Sequence, residues 1–148
     1  MTAERIVGSA AELVNEVGVE LQGIQYFTLS ATVDEGSGVP IGISDEVQPT
    51  YGLRVKVEGR ELGVRLSVNL EWPAGQIIVD AAATYMTDED VTVPPDTILD
   101  FANNVGIMAL LPYLRQSVTD LSQKVFGESL LMPMVKRGEL TFTHDDAE

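Results

Sequence analysis

Tyr51-Gly52-Leu53-Arg54-Val55-Lys56-Val57-Glu58-Gly59-Arg60-Glu61-Leu62-Gly63-Val64-Arg65-Leu66-Ser67-Val68-Asn69-Leu70-Glu71-Trp72 is the stretch whose reading decides the fold. Tyr51, Leu53, Val55 and Val57 alternate with Arg54, Lys56 and Glu58. After the turn Glu58-Gly59-Arg60-Glu61, Leu62, Val64, Leu66, Val68, Leu70 and Trp72 alternate with Arg65, Ser67, Asn69 and Glu71. A period of two on both sides of a glycine turn predicts an antiparallel hairpin with one buried face.

Working outward, Trp72-Pro73-Ala74-Gly75 predicts a second tight turn, because proline cannot extend an interior ladder and glycine accepts turn dihedrals. Ile77, Val79, Ala81, Ala83 and Tyr85 then form the inward face of a further strand. Ile78, Ala82 and Met86 place apolar groups on its other face, where a second covering layer is expected. Upstream, Val19, Leu21, Phe27, Leu29, Ala31 and Val33 read as one face of a long strand, with Gln22, Thr28, Ser30 and Thr32 on the other. Between this strand and the hairpin, the run from Glu35 to Gln48, with Gly36, Gly38, Pro40 and Gly42, predicts a crossover loop of about a dozen residues, long for a compact domain.

Helical periods bracket the strands. Ile6, Ala10, Leu13, Val14 and Val17 fall on one stripe of a helix over 3–17 that Gly18 closes. Pro94-Pro95-Asp96-Thr97, with Asp96 as N-cap, opens a second helix over 96–126. Ile98, Phe101, Ala102, Val105, Met108 and Ala109 trace its first apolar face, and Leu114, Val118, Leu121 and Val125 its continuation. Pro112 is expected to bend or break it, and Gly127 to end it. The expectation is one α+β domain over 1–148: a four-stranded antiparallel sheet, an N-terminal helix, and a long, proline-bent helix packed on one face.

Composition excludes several function classes. The 148 residues hold 45% hydrophobic and 22% charged side chains, a globular balance that suits a single core. A formal net charge of −14 argues against nucleic acid and anionic lipid as ligands, since Lys and Arg supply most of the affinity for phosphate. No cysteine is present, which removes thiol, disulfide and iron–sulfur chemistry. The first residues show neither a basic start nor an apolar stretch, and no apolar run approaches 18 residues, so a cytoplasmic protein without membrane insertion is expected.

Catalytic signatures are missing as well. His144 is the only histidine and stands in an acidic end expected to be frayed. There is no GxGxxG, Walker A or HExxH pattern, and the Asp88-Glu89-Asp90 acids lack the glycine and closing glutamate of a calcium loop. No enzyme activity, metal or cofactor is expected. Apolar residues in irregular segments carry the remaining signal. Phe126, Leu130, Leu131, Met132, Met134 and Val135 crowd between Gly127 and Gly138, and Val39, Ile41 and Ile43 sit in the crossover loop. Both groups read either as core or oligomer packing or as an adaptable protein-binding surface.

The segment Leu111-Pro112-Tyr113-Leu114-Arg115, followed by Val118, Asp120-Leu121, Gly127 and Leu130-Leu131-Met132-Pro133, resembles the SecB export chaperones, and so does the order strand, crossover loop, meander, helix. The resemblance covers roughly Val19 to Pro133. It implies an ATP-independent holdase for unfolded or precursor proteins, a homotetramer built as a dimer of dimers through the long helices, and the export motor ATPase as a further partner. It makes Tyr113, Leu114, Val118, Leu121 and Val125 oligomer contacts. It makes Val39, Ile41, Ile43, Tyr51, Phe126, Leu130, Leu131, Met132 and Met134 client contacts. Two features depart from the family: the helix over 3–17, and a short, extended tail around Leu140 and Phe142 where the family carries a second helix. A narrower client set fits these departures. Two other classes compete, an apolar small-ligand carrier with a pocket lined by Phe27, Leu53, Leu66, Trp72 and Tyr85, and a dedicated protein adaptor.

Overall fold

The computed structural model describes residues 5–43, 47–132 and 139–144. Its strands are β1 (Arg5–Ile6), β2 (Val19–Val33), β3 (Thr50–Glu58), β4 (Glu61–Trp72), β5 (Gly75–Thr87) and β6 (Val91–Thr92). Its helices are α1 (residues 10–17) and α2 (Pro95–Phe126). Strands β2-β5-β4-β3 form one antiparallel sheet in that order, and β1 and β6 form a small parallel pair. The fold is α+β, with β3 and β2 as the edge strands of the main sheet among the described residues.

The hairpin and meander follow the alternation in the sequence. Leu62, Val64, Leu66, Val68 and Leu70 of β4 lie opposite Tyr85, Ala83, Ala81, Val79 and Ile77 of β5, and all ten are buried. Helix α2 covers this face, touching β5, β2 and β4. Ile78, Ala82 and Met86 on the outer face remain partly exposed, so among the described residues no second layer covers them. That face is polar instead: Arg65 donates to both carboxylate oxygens of Asp80 (2.9 and 2.7 Å), and the guanidinium lies 4.0 Å over the Phe27 ring.

Phe27 was expected on the inner face with Leu21 and Leu29. Two irregularities in the β2–β5 register, between Leu21 and Gly23 and between Tyr26 and Thr28, correct this. Each bulge inserts one residue and flips the strand by one side chain. Ile24 and Tyr26 thereby join Leu21 and Leu29 on the helix side, and Phe27 turns outward.

At the N-terminus the helix is shorter than expected. Arg5 and Ile6 pair with Val91 and Thr92, and the helix starts only at Ala10, where the Ser9 hydroxyl accepts from the Glu12 amide (3.1 Å) and the Glu12 carboxylate accepts from the Gly8 amide (3.2 Å). This reciprocal capping fixes the start. Residues 13–17 are π-helical, which widens the turn, so Leu13 and Val17 are buried while Val14 is exposed. Val7 and Ala10 are fastened to α2 through Thr97 Oγ1 to the Val7 carbonyl (2.6 Å) and the Ala10 amide to Asp100 Oδ2 (2.7 Å).

Helix α2 begins with Pro94 as N-cap and Pro95 at the first helical position, not with Asp96 as the cap; the ring presets φ and the missing N–H would have had no helical partner. Asp96 instead sits in the first turn, favourably placed for the helix dipole. Residues 102–106 are π-helical, and the helix then runs through Pro112 without a break. Pro112 faces solvent, while Leu111 and Leu114 beside it are buried and hold the helix on the sheet. Gly106 makes the close approach: a Cβ there would stand 2.7 Å from the Val64 methyls. By length and mean hydropathy (1.2 in its most apolar window) α2 could cross a bilayer, yet 56% of that window is buried in the protein, as in a core helix. The stretch 139–144 is not frayed, while the acidic residues Asp145 and Asp146 lie outside the described residues. The stretch lies back against α2 with Phe142 buried and His144 beside Asp96.

Tyr85 has a buried hydroxyl without a hydrogen-bond partner among the described residues, and burial raises its pKa above the ordinary value. Tyr85→Phe removes only that unpaired group, so it is expected to leave stability unchanged or raise it by about 1 kcal/mol. The sign of the pH effect follows from linkage. The folded state holds the phenolic proton more tightly, so stability is full below the unfolded pKa near 10 and falls as pH rises beyond it. Thermal unfolding of Tyr85→Phe from pH 8 to 11 should show a shallower alkaline decline than the parent.

Candidate functional site: a cleft between crossover loop and helix end

The described parts of the crossover loop, residues 34–43 and 47–49, lie at the end of the meander, and the first part is anchored at several points. The Asp34 amide donates to the Ala74 carbonyl (2.8 Å) and the Trp72 indole N–H to the Gly42 carbonyl (2.8 Å). Beneath the loop the Trp72 and Phe126 rings meet at 4.7 Å and 51°, and both are buried. Phe126 therefore belongs to the floor under the site and is not a surface contact.

Past Phe126, Gly127 ends α2 in the left-handed conformation (φ 77°), and the chain reverses along the helix. Helix side chains hold its backbone: the Leu130 amide donates to Ser122 Oγ (2.8 Å), Thr119 Oγ1 donates to the Leu130 carbonyl (3.0 Å), and Arg115 Nε donates to the Met132 carbonyl (3.4 Å). The extended path makes neighbouring side chains alternate. Leu130 is half-buried, Leu131 is 76% exposed, and Met132 is buried in the core. The expected contact at Met134 lies outside the described residues.

Loop and helix end come together across two open clefts. One, of about 360 Å³, is lined by Ile43, Val47, Pro49, Leu70, Leu130 and Leu131 among others. The other, of about 320 Å³, lies against Val39, Pro40, Ile41, Ile43 and Trp72. Ile43 and Glu128 belong to both, and the Ile43 amide donates to Glu128 Oε2 (3.2 Å), which ties the loop to the helix end. Val39 (42%), Ile41 (63%) and Leu131 are exposed apolar groups around this shared centre. The frame is hydrogen-bonded while its apolar edge faces water, an arrangement suited to binding an apolar segment in extended form.

Tyr51 is half-buried, near Arg115, and its hydroxyl is buried without a partner among the described residues. Burial pushes its pKa up, against the lowering pull of the Arg115 guanidinium. Among the residues expected at oligomer contacts, Leu114 and Val118 are fully buried within the protomer, because they carry the helix stripe that faces the sheet. Tyr113 is exposed, and Leu121 and Val125 are half-buried. Tyr113 lies close to β2, whose Tyr26 hydroxyl stands 3.5 Å from the Tyr113 carbonyl and 3.3 Å from Ser117 Oγ. Leu21, Tyr26 and Leu29 are exposed along that edge. The alternative carrier pocket is not assembled: Phe27 is on the outer face, whereas Leu53, Leu66, Trp72 and Tyr85 are packed in the core. Among the described residues no group of three His, Asp or Glu side chains is placed to hold a metal ion.

The sequence did not mark Trp72 as the loop anchor, since its place in the strand alternation already accounted for it. Nor did it mark Glu128, a charged residue directly after the helix-ending glycine. Trp72→Phe keeps the ring contact with Phe126 and removes the indole donor. It is expected to cost about 1 kcal/mol and to speed amide exchange in residues 36–43 selectively.

No protein-family model matches the chain. The SecB-like chaperone SmegB of Mycolicibacterium smegmatis is 29% identical over 110 residues, covering 72% of this chain and 75% of the relative. A solved SecB-like chaperone of Mycobacterium tuberculosis, in complex with a ChAD peptide from the HigA1 antitoxin, shares the fold. Its TM-score is 0.68 at 17% identity, and the match covers 86% of this chain and 97% of that one. Sequence shared with one SecB-like chaperone and a fold shared with another make this chain similar to the SecB-like chaperones, in line with the resemblance read from its sequence.

Proposed function

We propose that the chain is an ATP-independent holdase that binds extended apolar segments of unfolded or precursor proteins in the cleft between crossover loop and helix end. The observation that carries this reading is the exposed apolar edge formed by Val39, Ile41 and Leu131 around Ile43, on a loop and a chain reversal both fixed by hydrogen bonds. Exposed apolar groups on such a frame favour clients by their apolar character rather than by one sequence. The similarity to chaperones supports the reading, and the antitoxin peptide held by the tuberculosis protein makes a narrow client set an attractive form of it.

The proposal includes a homotetramer, a dimer of dimers, with Tyr113, Leu121 and Val125 of α2 at its contacts. The exposed Leu21, Tyr26 and Leu29 beside Tyr113 support a buried role for that side of the protomer in an assembly. Light scattering tests both parts. A mass near four times 16.0 kDa, rising when a slow-folding unfolded protein is added, is the expected result. A particle that stays at 16.0 kDa in the presence of the unfolded protein contradicts it.

A further inference from the structure

From Gly127 onward, the described parts of the chain retrace α2 toward its start. The Leu130 carbonyl meets Thr119, the Met132 carbonyl meets Arg115, Phe142 meets Asn103, and His144 meets Asp96. From 119 to 96 the helix rises by about 34 Å. At the far end of this path the contact is of a particular kind. Asn103 Nδ2 donates to the Phe142 carbonyl (2.9 Å), and the Phe142 amide donates to Asn103 Oδ1 (2.8 Å).

One side-chain amide thus satisfies both backbone groups of a single residue, as a neighbouring strand would. This contact reads the main chain and leaves the side chain to be chosen by its pocket. Phe142 is buried while Thr141, Thr143 and His144 face outward, so one large apolar group is inserted between exposed neighbours. His144 also lines an open cleft of about 330 Å³ between β3 and the start of α2, together with Val55, Val57, Val93, Ile98 and Leu99.

We propose that the Asn103 face of α2 is a second peptide-binding site, one that takes an extended polypeptide with a buried aromatic side chain, and that residues 140–144 occupy it in cis. The occupant is a client segment of the same pattern, polar residues flanking an aromatic one. The tail competes as a tethered ligand at an effective concentration on the order of millimolar, so a peptide in trans gains access only when the tail is loosened or the peptide is abundant. The inference rests on the holdase reading only for the source of the peptide. Its test uses a synthetic peptide and no aggregating client, so the two stand or fall separately.

The probe is a fluorescein-labelled peptide Glu-Leu-Thr-Phe-Thr-His, the sequence of residues 139–144, followed by anisotropy with the full-length chain. Phe142→Ala, which frees the pocket, should bind the probe at least tenfold more tightly than the parent. Adding Asn103→Ala to that variant should remove the gain, as should replacing phenylalanine by alanine in the peptide. Equal affinity for the parent and a folded Phe142→Ala, or binding indifferent to Asn103, overturns the proposal. Should Phe142→Ala fail to fold, amide exchange at Phe142 in the parent decides. Excess unlabelled peptide should accelerate it several-fold, and an unchanged rate overturns the proposal.

Discussion

Phe101→Ala is expected to lower the unfolding free energy by roughly 3–5 kcal/mol, the usual cost of removing a fully buried phenylalanine. The side chain is wholly inaccessible, and its ring meets Tyr85 edge-on at 4.9 Å and 89°, joining the first turns of α2 to β5. Immediately after it come the π-helical residues 102–106 and the Gly106 contact with Val64, so the surroundings have little freedom to close the cavity. For a chain of this length the loss corresponds to a fall in Tm of about 10 °C or more. A double-mutant cycle with Tyr85→Leu should recover a coupling of about 0.5–1.5 kcal/mol, the share due to the ring pair itself. A cost below about 1 kcal/mol for Phe101→Ala would mean that α2 does not pack on the sheet as described.

The double variant Ile41→Asp with Leu131→Asp is expected to weaken client binding about a hundredfold while leaving Tm nearly unchanged. Burying one such side chain against a client contributes roughly 1.5–3 kcal/mol, and each 1.4 kcal/mol is tenfold in affinity. An aspartate at the same place adds the cost of stripping water from a charge. Because Ile41 and Leu131 are largely exposed, the folded protomer loses little. Val14→Asp is the matched control: Val14 is also exposed and apolar, and it lies on α1 away from the cleft. Titrating a labelled unfolded protein into the three chains separates an effect of the cleft from an effect of added charge.

Much of the fold was legible in the sequence because its strands are buried on one face only. Leu62 to Trp72 repeat every two residues without interruption, and the structure keeps that register along the whole of β4. Gly18 and Gly127 stop their helices at positive φ, the position that only glycine adopts at little cost. The bulges of β2 were hidden because strict alternation assigns Phe27 to the inner face. The spacing of Leu21, Ile24, Tyr26 and Leu29 carries the trace of two inserted residues. The start of the first helix at Ser9 was also present in the sequence, as Ser9-Ala10-Ala11-Glu12, yet the apolar stripe through Ile6 outweighed it.

For the cleft, the apolar residues of the crossover loop and of the segment after Gly127 could be picked out as irregular and unsuited to a helix, but their meeting at Ile43 depends on tertiary anchors. Those anchors are the Trp72 indole and the Glu128 carboxylate, which periodicity does not distinguish from ordinary strand and loop residues. Phe126 turns inward as the last buried residue of α2, against Trp72, and Met132 because the chain reversal after Gly127 fixes the alternation of the extended segment. Leu114 and Val118 lie inside the protomer for a related reason: the helical stripe that marks an apolar face does not say whether the sheet or another subunit covers it.

The most direct test of the central claim is aggregation of a slow-folding unfolded protein, followed by light scattering without ATP, as this chain is added in increasing amounts. The account predicts suppression at near-stoichiometric amounts, lost in the Ile41→Asp, Leu131→Asp variant and retained in Val14→Asp. Aggregation that proceeds unchanged at a several-fold excess of the folded chain would contradict it.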